Sequence, residues 1–149
     1  MYFNSVNFTY SIIMTLFCTM FFSSVVIAES KTQNVKVVAN ISPPPFTLGK
    51  QEIRNLFMGG SSKFKLYPVT LTGDNDARMV FNTKVIGLTE ARIQSYWVQM
   101  RFSGRLKEPV ALASESEVLE HLKNNKGAIA YVSSDIEIPD TLHVLYESE

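Results

Sequence analysis

Leu66-Tyr67-Pro68-Val69-Thr70-Leu71-Thr72-Gly73-Asp74-Asn75-Asp76-Ala77-Arg78-Met79-Val80-Phe81 is the stretch on which the reading of the fold turns. Leu66 to Leu71 is an apolar run rich in β-formers, Thr72 to Asp76 is a polar turn, and Ala77, Val80, Phe81 and Val85 then fall on one helical face. The order is strand, turn, helix start. The first turn of a helix leaves backbone N–H groups without partners and carries the positive end of the macrodipole, so an anion is stabilised there. Arg78 could add a two-pronged donor at the same place. The plainer reading is that Asp74 or Asp76 caps the helix and Arg78 lies on a solvated face.

Working outward, the amino-terminal side is an export signal. Ser11 to Ile27 is apolar and ends in Val26-Ile27-Ala28, which places a cut after residue 28 and leaves 29–149 as one domain. Met1 to Ala28 holds no Lys or Arg, and Phe8 to Ile27 approaches the roughly 20 residues that cross a bilayer, so an uncleaved anchor is the competing reading. Thr15, Thr19, Ser23 and Ser24 favour the signal. Cys18 lacks the small preceding residues that lipidation needs. Beyond it the chain has no cysteine, and His121 and His143 are the only histidines, so a structural zinc cluster is excluded and no cofactor is implied.

The formal net charge is zero, but residues 29–107 hold twelve Lys/Arg against five Asp/Glu and residues 108–149 hold two against nine. The basic part contains the turn. It favours an anionic ligand or partner near Arg78, Lys84, Arg101, Arg105 and Lys107. Nucleic acid is disfavoured because the aromatics sit at core spacing and the chain is read as exported.

Val35 to Asn40 reads as a strand, ended by Pro43-Pro44-Pro45. Thr47 can cap a helix bearing Ile53, Leu56 and Phe57, which Gly59-Gly60 stops. After the central strand, turn and helix, Gly87 ends the helix and Thr89 starts another, with Ile93, Tyr96, Trp97 and Met100 as a buried stripe. Lys107 to Ala113 reads as an irregular connection. Ser114 and Glu117 have capping-box spacing before Val118, Leu119 and Leu122. Gly127 to Val132 reads as a strand buried on both faces, and Thr141 to Tyr146 as an edge strand. Strands alternating with helices give an α/β class, a three-layer mixed sheet with flanking helices. Neither histidine has a neighbour resembling a nucleophile or metal pair, so the chain reads as non-enzymatic.

Leu48 to Gly59, Tyr67-Pro68-Val69, Arg78 to Phe81, Tyr96-Trp97 with Phe102-Ser103-Gly104, and Gly127 to Val132 occur in an order that resembles the phosphate-binding proteins of ABC transporters. More closely, the chain resembles their short, exported relatives in Gram-negative bacteria. The resemblance implies one lobe of a type 2 periplasmic binding protein, a periplasmic location, and phosphate or a related oxyanion as ligand. Thr72, Asp74 and Arg78 fall on the family's ligand turn, and the implied ligand residues are Thr72, Gly73, Asp74, Asn75 and Arg78, with the amides of Gly73 to Ala77 as donors. The family's Ser-Gly pair is replaced by Asp76-Ala77, which adds a carboxylate and removes a hydroxyl. Half a clamp encloses an anion poorly, so a second wall would come from a homodimer or an envelope protein. The alternative is an envelope protein-interaction module that has lost its anion, marked by an exposed apolar patch near Pro43 to Phe46 or Phe102. An anion site at the turn requires Arg78 to face its amides and Asp74 and Asp76 to leave the hollow open.

Overall fold

Runs of β-branched and aromatic residues between turn residues build one five-stranded mixed sheet. The computed structural model describes residues 34–42 and 46–149. The export signal expected at 1–28, Cys18, the polar residues up to 33 and the prolines 43–45 lie outside the described residues. In chain order the elements are β1 (Val35–Ala39), α1 (Lys50–Phe57), β2 (Tyr67–Leu71), α2 (Asp76–Phe81) running into a π-helical turn (Asn82–Ile86), α3 (Glu90–Phe102), β3 (Val110–Leu112), α4 (Glu115–Asn124), β4 (Ala128–Ser133) and β5 (His143–Glu147).

The strands lie in the order β3-β2-β4-β1-β5. β2 runs parallel to β3 and β4, while β1 is antiparallel to β4 and β5, with Val37 opposite both Tyr131 and Tyr146. The middle of the sheet is therefore β4, with β2 beside it. Successive strand residues point to opposite faces, and Ala128 to Val132 are all buried, so both faces of β4 are covered as its unbroken apolar run predicts. Val118 and Leu122 of α4 are fully buried, and α4 packs on β4 and β2. Phe81 of α2 stacks on Tyr131 of β4 with ring centroids 3.9 Å apart and meets Phe57 of α1 edge-on at 4.8 Å. This trio ties the helix after the turn to the centre of the sheet.

The ends of the helices show where local chemistry decides. Gly49, not Thr47, caps α1, and the Glu52 carboxylate accepts from the Gly49 amide at 3.0 Å. Ser114 caps α4 as its spacing predicts, accepting from Glu117 N, while the Glu117 carboxylate takes the Ala113 amide. Gly87 closes the π turn at φ 72°, a left-handed backbone that favours glycine. The connection 107–113, expected to be irregular, contains β3. Its three residues carry no burial pattern, since Val110 and Ala111 are exposed, and it holds its place by pairing with β2. Trp97 is buried, as the stripe on α3 predicts, and Tyr96 donates its hydroxyl to the Met58 carbonyl at 2.8 Å.

Candidate functional site

The turn between β2 and α2 engages part of its own donors. Asn75, rather than Asp74 or Asp76, caps α2, its Oδ1 accepting from Ala77 N at 2.9 Å, because a side chain one residue before the first helical turn reaches that amide best. The Thr72 amide donates to Leu112 O and the Asn75 amide to Thr72 O. Asp74 is solvent-exposed, yet hydrogen bonds from the Thr72 hydroxyl and from its own backbone N–H hold its carboxyl below the usual 3.8. The Thr72 hydroxyl and the amides of Asp74, Asn75 and Ala77 are thus already engaged inside the chain. Gly73 sits at the exposed tip, where an added Cβ would lie 3.6 Å from Glu90 Oε1.

Arg78 does not turn toward those amides. It is only 4% exposed and points under the end of β2, where Nη1 donates to the Leu71 carbonyl and, at 3.2 Å, to Thr70 Oγ1. Its other edge grips Glu90, the first residue of α3, through Nε to Oε2 at 2.9 Å and Nη2 to Oε1 at 2.7 Å. The same carboxylate accepts from Asn82 Nδ2 at 2.6 Å and from Gln94 Nε2 at 2.8 Å. Four N–H donors therefore fill the four lone-pair directions of one carboxylate. Thr70 in turn shares a 2.7 Å hydrogen bond with the Tyr131 hydroxyl, which also accepts from the Leu71 amide.

The electrostatics follow the geometry. Burial works against ionisation at both partners, but the hydrogen bonds from Arg78 and Gln94, with the guanidinium charge, hold Glu90 below its ordinary 4.5. At Arg78, burial alone would favour deprotonation, and the hydrogen bonds to Glu90 reverse it, leaving the guanidinium more firmly protonated than usual. Burial raises the Tyr131 hydroxyl, which stays a neutral link in the network. A cavity of about 20 Å3 lies beside Arg78, walled by Thr70, Asn82, Trp97 and Glu108. It has room for a water.

Sequence reading named Thr72, Gly73, Asp74, Asn75 and Arg78. The structure brings the first four together in the turn and sends Arg78 into a cluster with Thr70, Asn82, Glu90 and Tyr131, none of which the pattern had marked. The one signal available was spacing: Arg78 and Asn82 are four apart, hence on one helical face, and a polar pair on an otherwise apolar face calls for a buried partner. Of the other basic residues, Lys84 is engaged by Asn34 Oδ1 at 2.5 Å and by the Glu149 carbonyl at 3.0 Å. Arg101, Arg105 and Lys107 gather instead at the far end of α3. Beside Glu90 an open groove of about 320 Å3 runs between the turn and residues 88–90, lined by Gly73, Met79, Leu88 and Thr89, with Met79 63% exposed. No group of three or more His, Cys, Asp or Glu among the described residues could hold a metal ion.

No protein-family model and no curated protein matches the sequence. Solved structures do match the fold. An ABC-type phosphate transport receptor from Vibrio cholerae superimposes with a TM-score of 0.57 over 76% of this chain at 14% identity. A putative phosphate ABC transporter substrate-binding protein from Clostridium perfringens, solved with bound phosphate, gives 0.59 over 76% at 12% identity. PstS from Borrelia burgdorferi gives 0.50 over 68% at 10% identity. The chain spans less than half the length of each, 45%, 44% and 41% in the same order. At such identities the likeness is one of architecture, and the mixed sheet with its flanking helices is what the neighbours share. In fold, the chain is similar to a part of these phosphate-receptor structures, an α/β unit with one mixed sheet and flanking helices.

Proposed function

We propose that this chain is an envelope protein-interaction module built on a solute-binding lobe, in which the anion at the strand-turn-helix 71–78 has been replaced by the chain's own carboxylates. The observation that carries the reading is the four-donor grip of Arg78, Asn82 and Gln94 on Glu90. A guanidinium whose bidentate edge already holds a carboxylate can take an external oxyanion only by expelling it and giving up two charge-assisted hydrogen bonds. The groove beside Glu90, with the adaptable side chain of Met79 exposed along it, is where a partner's side chain would seat. An exported, periplasmic setting belongs to the same reading. Among the described residues no helix is long and apolar enough to cross a membrane.

The second reading is uptake of phosphate or a related oxyanion by Thr72, Gly73, Asp74, Asn75 and Arg78. The likeness to phosphate receptors favours it, one of them solved with its ligand. Thermal melting separates the two. A ligand bound at a hundred times its Kd stabilises the native state by about 2.7 kcal/mol, a rise of several degrees for a domain of this size. With 10 mM phosphate, sulfate or molybdate we expect no rise in the wild type. A rise of several degrees that disappears in Arg78→Gln would establish the oxyanion reading instead. A photo-crosslinking side chain placed at Met79 should give a discrete adduct in an envelope extract, and a monomer without adducts would count against the interaction reading.

A further inference from the structure

From the far end of α3 we infer a second attachment point: the tip formed by Phe102 and the loop after it docks on an anionic lipid surface. α3 starts at Glu90 in the cluster described above and runs thirteen residues to Phe102, roughly 20 Å away at 1.5 Å per residue. The tip is thus a separate place from the groove, and nothing here depends on what the groove holds.

Three features meet at this tip. Phe102 is 90% exposed, the most exposed large apolar side chain of the described residues, and Val98, one turn earlier on the same face, is 39% exposed. Arg101, Arg105 and Lys107 lie within five residues of Phe102 in the chain, all exposed, and with Gly104 and Leu106 they line an open hollow of about 540 Å3. None of the three cations has an ion-pair partner among the described residues. From Ala91 to Lys107 there is no acidic residue at all. The adjoining Glu108 lines the cavity beside Arg78. Gly104, at φ 65° and with open space around it, makes the tight turn that lets the loop project.

Charge and area together choose the occupant. A stable protein–protein contact covers about 800 Å2 on each side around an apolar centre. One ring of about 200 Å2 with part of a valine falls well short of that. An interfacial anchor needs no more: one aromatic seated at the headgroup level, with cations beside it meeting lipid phosphates. Lys and Arg near an anionic membrane each strengthen binding by about fivefold, the equivalent of about 1 kcal/mol. Three of them give roughly a hundredfold.

The test uses the full chain carrying Phe102→Trp, whose indole supplies any change in emission because the native Trp97 is buried and adds a constant background. Its emission should shift to the blue, and be quenched by brominated lipid, with vesicles of 30% phosphatidylglycerol in phosphatidylcholine. Neither pure phosphatidylcholine nor 10 mM inorganic phosphate should move it, and 500 mM salt should reverse it. Adding Arg101→Gln, Arg105→Gln and Lys107→Gln should raise the lipid needed for half the shift about a hundredfold without changing the melting temperature. The inference is overturned by emission that ignores anionic vesicles, by equal shifts with neutral ones, or by a shift that survives loss of the three cations. A blue shift that follows protein concentration without lipid would also overturn it, making the tip a contact between copies.

Discussion

Replacing Glu90 by alanine should destabilise the domain by about 3 kcal/mol, seen as a lower urea midpoint with an unchanged m-value. The loss comes less from the ion pair's own attraction than from what remains. Arg78, with its side chain only 5% exposed, would keep its charge and lose two of its four hydrogen bonds. The figure is set at the low end of the range for breaking buried pairs because the Glu90 side chain is 36% exposed and water can partly replace it. Glu90→Gln should lose less, since the shape is kept, although its NH2 group would face donors on every side. A change below 0.5 kcal/mol in Glu90→Ala would mean that the guanidinium is not held by this carboxylate. Because the carboxyl is held below its ordinary 4.5, the unfolded chain binds the proton more readily than the folded one. The contribution of the pair is therefore complete above about pH 5 and is lost as pH falls through the folded-state value.

Phe81→Ala should cost about as much or more, 3–5 kcal/mol, because a fully packed ring is removed from between two others. Phe81 is 2% exposed, stacked on Tyr131 at 3.9 Å and edge-on to Phe57 at 4.8 Å. Its neighbours belong to β4 and α1, which the sheet and the Gly59 stop hold in place, so the space cannot close fully. Phe81 also sits one helical turn from Arg78, and its loss should loosen α2 against β2. Urea titration checks the value, and near-UV circular dichroism should lose part of its aromatic signal. A cost under 1 kcal/mol would show that the aromatic trio does not anchor α2.

Much of this was legible in the chain. β4 declared itself because the unbroken run Gly127 to Val132 has no polar face to offer water, and the stripe Ile93, Trp97 on α3 because helical spacing alone puts those side chains together. β3 was not legible: three residues, two of them exposed, follow a proline and owe their strand geometry to pairing with β2, a contact of about forty residues' separation. At the site, sequence located the strand, the turn and the helix start but misplaced both the cap and the guanidinium. Asp74, Asn75 and Asp76 are nearly equal as caps by type, and backbone geometry chose Asn75. Arg78 found Glu90 twelve residues on, across a π turn that adds a residue to the helical repeat, so ordinary i to i+4 arithmetic could not connect them. Of the two places where an exposed apolar patch was expected, Phe102 is exposed but as a single ring too small for a protein contact, and Phe46 stacks on Phe64 at 3.9 Å.

The central claim is that the oxyanion held by Arg78 is the side chain of Glu90. The most direct measurement is an NMR titration of the Glu90 carboxyl carbon, assigned through Glu90→Gln, with and without 10 mM phosphate. The predicted result is a midpoint below 4.5 that phosphate leaves unchanged. A midpoint at or above 4.5, or one that phosphate drives upward by taking the guanidinium for itself, would contradict it.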